Sequence, residues 1–181
     1  MSVVFRRALG WLGCLLLSSW SSTLAETLAW PLSIGPALSS SFGESRSASF
    51  HMGIDFKTWG RTGYEVRAVH EGYIVRVRTS PWGYGRAVYQ RLADGRTAVY
   101  AHLSAFVGPA RERVEVAQRM AQRYSMDLWF KEGEIPVRRG DVIALSGESG
   151  AGPPHLHFEL RDEDNRPINP LLKDYAVDDT T

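Results

Sequence analysis

Two histidines stand one residue apart in the stretch GPPHLHFEL, residues 152 to 160, of a chain that has only five. In a strand, side chains alternate faces, so His155 and His157 point one way while Leu156 and Phe158 point the other. Two neutral imidazoles on one surface are the beginning of a metal site, although a polar strand face in water has the same pattern. His51 and Asp55 lie in HMGIDF, where Gly53 argues against a helical i,i+4 pairing. A bend or bulge can still aim both side chains at one point. His102 ends the strand-like run TAVYAHLS, and His70, in AVHEGY beside a glycine turn, reads as a surface or packing residue.

A zinc site with open chemistry takes three protein ligands and keeps a free position for water, whose pKa it lowers to about 7. His51, Asp55 and one of His155 or His157 supply such a set. The other histidines are then left to handle protons, as they must, because the chain lacks the His-Glu-x-x-His helix that carries its own carboxylate base. A neutral imidazole can accept the proton of the attacking water, and another can stabilise an oxyanion or protonate a leaving amine. Each piece taken singly is more often structural. Together they favour a metal site.

These residues need elements to hold them. YEVRAVHEGYIVRVR alternates apolar and polar residues as strands do, and the run from Arg86 to Leu103, with QRLADGRTAV at its middle, reads as a hairpin with Asp94-Gly95 at its turn. After His102 the texture changes. In GPARERVEVAQRMAQRYSMDLWF, Pro109 stands near the start, and Val114, Ala117, Met120, Ala121 and Tyr124 recur at three- and four-residue spacing, which predicts a helix with one apolar face. Strand texture returns in IPVRRGDVIALSGESG, where Arg139-Gly140-Asp141 reads as a turn, and runs through the histidine pair. The expectation is one mainly β domain, an antiparallel sheet with a helical insertion at about 107–135. The boundaries expected are a lead-in over 26–39, the domain over 40–175, and a tail or linker start over 176–181.

Residues 1–25 have the layout of a secretory signal: Arg6 and Arg7, an apolar stretch from Ala8 to Leu17, then small polar residues ending at Ala25. That stretch is too short to span a membrane, and no other run reaches the roughly twenty apolar residues a span needs. Cys14 lies inside the apolar stretch rather than after it, which argues against lipidation. Cleavage after Ala25 removes two arginines and no acid, turning the formal +1 of the whole chain into −1. Nothing basic enough for nucleic acid remains. The same cut removes the single cysteine, so the exported domain relies on its core rather than on disulfides, and any metal ligands are His, Asp or Glu.

HMGIDF, YAHLS and GPPHLHFEL, in this order, resemble the three signature motifs of the lysostaphin-type, or LytM-like, zinc endopeptidases that cut peptide bonds in bacterial peptidoglycan. GYIVRV and VRRGDVIALSGESG are similar to that family's strands, and the resemblance covers roughly residues 40 to 171. It implies one zinc ion held by His51, Asp55 and His157, with His102 and His155 as the unliganded catalytic pair. It implies a mostly antiparallel fold with a long groove for an extended peptide of the cell wall, and hence a periplasmic, wall-associated or secreted protein. The stretch between His102 and the histidine pair is longer than the family's usual one. Trp129 and Phe130 either pack that insertion onto the sheet or line one wall of the groove. Two other functions compete: a non-hydrolytic cell-wall binding or hydrolase-activating protein on the same scaffold, and a metalloenzyme acting on another substrate. The family's non-hydrolytic members typically lack some of the five site residues, all of which are present here.

Overall fold

The computed structural model describes residues 27–150, 152–173, 175 and 176. The expected signal segment with Cys14, and residues 177–181 of the expected tail, lie outside the described residues. No helix among the described residues is long and apolar enough to cross a membrane.

The strands follow the chain as β1 (Leu28–Ala29), β2 (Leu38–Ser40), β3 (Ile54–Lys57), β4 (Glu65–Arg67), β5 (Gly72–Thr79), β6 (Arg86–Leu92), β7 (Thr97–Ala101) and β8 (Ala105–Phe106). Helix α1 (Pro109–Ala121) comes next, then β9 (Met126–Trp129), β10 (Pro136–Val137), β11 (Val142–Leu145), β12 (His155–Arg161), β13 (Pro167–Ile168) and β14 (Tyr175–Ala176). The main sheet runs β10-β5-β6-β7-β12-β3-β2, with β9 also on β5 and β13 also on β12, and all its pairs are antiparallel. A second antiparallel sheet, β4-β11-β8, packs beneath it, and β1 pairs with β14 in parallel.

Alternation decides which face is core. Ile54 and Phe56 of β3 and Leu156, Phe158 and Leu160 of β12 are buried in one cluster with Val66, Phe106 and Ile143 from the second sheet. Burying each large side chain of this kind contributes about 1.5–3 kcal/mol. Asp55 on β3 and His155, His157 and Glu159 on β12 therefore lie on the opposite face. Leu28 and Leu32, from the expected lead-in, join the same core.

The predicted helix forms with Pro109 in its first turn and ends where Gln122 takes the left-handed conformation (φ 49°). Its apolar face is shorter than expected. Ala110 and Val114, one turn apart, are buried, but Met120 is 82% exposed and Tyr124 lies beyond the helix end. The helix touches the core only through its N-terminal half, so the later spacing has nothing to pack against. Segment 107–135 also carries β9, which extends the main sheet through Arg76–Trp129 to Thr79–Met126 pairing. Phe130 packs half-buried against the core, whereas Trp129 is exposed with the Arg76 guanidinium 4.7 Å from its ring centroid. Neither lines the groove described below. Arg139-Gly140-Asp141 forms the expected turn: Gly140 has φ 87° and the Asp141 N–H donates to Arg138 O at 3.1 Å.

Candidate metal centre

Register brings the first two groups together. His157 on β12 pairs directly with Asp55 on β3 on one side and with Ala101 on β7 on the other, so aspartate and imidazole share a face while the alanine leaves room above it. His51 precedes β3 and reaches the same point because Gly53 lets the chain pass close to β12. A Cβ on Gly53 would stand 2.2 Å from Phe158 O. His102 follows β7, and a regular strand would turn it away from Ala101's face. It instead takes φ 59°, a left-handed conformation that costs a non-glycine residue about 1–3 kcal/mol, and its ring centroid lies 4.5 Å from that of His155, the two rings tilted by 45°.

The hydrogen bonds set each ring's tautomer. The Nδ1–H of His51 donates to Ser41 O at 2.8 Å, leaving a lone pair on Nε2. In His157 the order is reversed: Nε2–H donates to the Glu159 carboxylate at 2.9 Å, leaving the lone pair on Nδ1. These two nitrogens lie 2.9 Å apart, and Asp55 Oδ1 is 3.1 Å from the first and 2.9 Å from the second. Two lone pairs and a carboxylate thus converge with their protons directed elsewhere, a donor set that suits a cation. His51, Asp55 and His157 are the three-residue cluster able to hold a metal among the described residues.

His102 and His155 stand beside this set and share one tautomer. His102 Nδ1–H donates to Ser149 O at 3.0 Å and His155 Nδ1–H to Pro153 O at 2.7 Å, so both expose Nε2 as an acceptor. His155 Nε2 is 3.8 Å from Asp55 Oδ1. Burial lowers the His102 pKa to about 4, which keeps it neutral. For His157, burial also opposes charge, but the Asp55 and Glu159 carboxylates, which accept hydrogen bonds from the protonated ring, outweigh it and raise the pKa. The surroundings therefore favour positive charge where the three donors meet.

Three residues that the sequence reading did not single out complete the site. Glu159 has no exposed surface and holds His157 on one oxygen, where Tyr84 Oη–H also donates, while Arg161 donates to the other oxygen at 2.7 Å. Burial raises the Glu159 pKa, but these partners outweigh that effect and lower it, so the carboxylate is ionised. Glu159 was within reach of the alternation argument, being two residues beyond His157. Tyr84 lies in the β5–β6 loop and carried no such signal. His70, away from this centre, is buried, which fits the packing alternative. The site opens into a groove of about 1340 Å³ that includes all four histidines and Asp55, walled by the loops after β2, β3 and β5.

A mainly β domain with a His-Asp-His centre and two further imidazoles at the floor of an open groove is a framework able to hold a metal ion. Residues 49–133 match the family model described as Peptidase family M23. Over 122 residues the chain is 34% identical to the DD-carboxypeptidase/endopeptidase Mpg of Neisseria meningitidis serogroup B, a match covering 67% of this chain and 22% of that protein. Over 154 residues it is 27% identical to the murein hydrolase activator NlpD of Salmonella dublin, covering 85% and 33%. A zinc-containing peptidase from Vibrio cholerae shares the fold at TM-score 0.61 and 22% identity, over 83% of this chain and 41% of that one. The chain belongs to the lysostaphin-type, LytM-like peptidase family, and it spans about a fifth of the length of the curated Mpg relatives it matches.

Proposed function

We propose that the protein is an exported zinc metalloendopeptidase that hydrolyses peptide bonds in the stem peptides or crosslinks of peptidoglycan. The observation that carries the reading is the tautomer pattern: three metal-donor atoms converge, and two neutral histidines beside them present Nε2 lone pairs. His51, Asp55 and His157 hold one zinc ion, which supplies Lewis acidity and brings the ionisation of water close to neutral pH. His155 accepts a proton at Nε2, held in place by its bond to Pro153 O. His102 is neutral and acceptor-only at Nε2, so it stabilises developing negative charge only after taking up a proton, which it then returns to the leaving amine. The groove holds an extended peptide across the sheet face. A wall substrate places the enzyme outside the cytoplasm, in the periplasm, at the wall or in the medium, in keeping with the leader-like residues 1–25.

Mpg, by its name, is a carboxypeptidase and endopeptidase, which supports hydrolysis. NlpD, by its name, activates other hydrolases, and this supports a second reading in which the domain binds the wall without cutting it. The five filled positions favour the enzyme. Digestion of purified sacculi beside a generic protein substrate, with mass analysis of fragments, separates these cases. Peptide fragments released from sacculi support the proposal. Release from the protein alone, or no release by a zinc-loaded chain, rejects it.

A further inference from the structure

The groove carries more positive charge than its own acids satisfy. Of its two carboxylates, Asp55 belongs to the metal centre and is also held by Arg46 at 3.3 Å, and Glu44 accepts from Ser40 Oγ at 2.5 Å and the Ser41 N–H at 2.6 Å. Lys57 and Arg78 also line the groove, and the side chain of neither makes a hydrogen bond or an ion pair among the described residues. The acid nearest Arg78 in register, Asp127, gives both its oxygens to Arg76.

These two cations stand on opposite sides of the centre. Lys57 pairs with His155, on the same face as Asp55 and two residues further along β3. Its ammonium rests 5.6 Å from the ring centroid of Trp59, which is 68% exposed in a left-handed turn (φ 54°), so the charge has a preferred place. Next to it Thr58 lines the groove with a buried hydroxyl that has no hydrogen-bond partner. In the other direction, Ala101 beside His157 packs with Ala87, Ala87 pairs with Arg78, and Tyr84 packs against these buried alanines and lines the groove. Three strand spacings separate His157 from Arg78, or ~14 Å, the reach of about four extended residues.

We propose that Lys57 and Arg78 bind free carboxylates of the peptide on the two sides of the bond to be cut, so that the groove selects an anionic crosslink over an uncharged, glycine-rich one. This rests on the groove being the substrate site of the function proposed above. A carboxylate satisfies each cation by a charge-assisted hydrogen bond, whereas an uncharged bridge leaves both without a hydrogen-bonded anion. Between the two anchor points the groove is lined by Tyr84, His102 and His155.

The test is calorimetric titration of the full-length, zinc-loaded His155→Ala chain with two synthetic probes: a crosslinked peptide dimer with free carboxylates, and the same dimer with every carboxylate amidated. Amidation is expected to weaken binding at least tenfold. Lys57→Gln and Arg78→Gln, each added to that background, should weaken binding of the free-carboxylate dimer by about threefold to tenfold and leave the amidated dimer unchanged. Equal affinity for the two dimers, no binding of either, or losses that are the same on both would overturn the inference. Binding is read apart from cleavage here. Charge-selective binding by a parent chain that cuts nothing would reject the proposed hydrolase and leave this inference standing.

Discussion

Glu159 accepts a hydrogen bond from the Nε2–H of His157 at 2.9 Å and has no exposed surface of its own. That single contact decides which nitrogen of His157 faces Asp55. Removing it leaves the ring free to present either nitrogen and leaves Arg161, whose side chain is only 13% exposed, without its anion. Glu159→Ala should weaken zinc binding about 10- to 100-fold, read by competition with a chromophoric chelator, and destabilise the fold by about 3 kcal/mol. Glu159→Gln keeps an oxygen acceptor and should recover part of the zinc affinity. Unchanged affinity in the alanine variant would show that His157 is oriented by other means.

The two kinds of histidine separate by metal content. His157→Ala should lose zinc and activity together, whereas His155→Ala and His102→Ala should retain most zinc and lose about 100-fold or more in rate. Elemental analysis of the purified variants beside a turnover assay checks this. An empty site in His155→Ala would mean that the ligand is His155 and not its neighbour.

Gly53 is a matter of space. Its φ is not in the left-handed region, yet a Cβ there would meet Phe158 O at 2.2 Å and Glu159 Cγ at 2.9 Å. Gly53→Ala must push β3 from β12 at the point where Asp55 faces His157. The expected loss is about 1–3 kcal/mol in urea unfolding, with zinc affinity falling as well. Gly35→Ala, where a Cβ meets nothing within 4 Å and φ is not in the left-handed region, serves as the control for metal binding.

Acid should loosen the insertion before the core. The Asp127 carboxylate is held below its ordinary 3.8, chiefly by the hydrogen bonds from Arg76. A lowered folded-state pKa means that the unfolded chain binds the proton first as pH falls. The pair's contribution is then present above about 3.8 and lost as pH drops through the lowered value. Asp127→Asn should flatten that part of the stability–pH curve and raise amide exchange in β9 at neutral pH, with exchange in β12 unchanged. Equal protection of β9 in the two proteins would show that Leu128 and Phe130 alone anchor the strand.

Much of this site could be read from residue order, because its logic is local. Period-two alternation put His155 and His157 on one face, Asp94-Gly95 closed the β6–β7 hairpin, and Pro109 marked where α1 begins. Local rules stop where two strands meet. Only register set Asp55 opposite His157, with Gly53 letting His51 approach, and only the left-handed turn at His102 brought that ring across from the face alternation would have given it. Which nitrogen of each imidazole bears the proton was decided by Ser41, Ser149, Pro153 and Glu159, three of them through backbone carbonyls that no side-chain pattern records. The extent of the helix face and the place of β9 at the sheet edge depended likewise on what was there to pack against. Residue types and spacing determined which groups were available for metal and proton chemistry. Their convergence was left to contacts between segments up to about a hundred residues apart, whose geometry is a property of the packed sheet and not of any one strand.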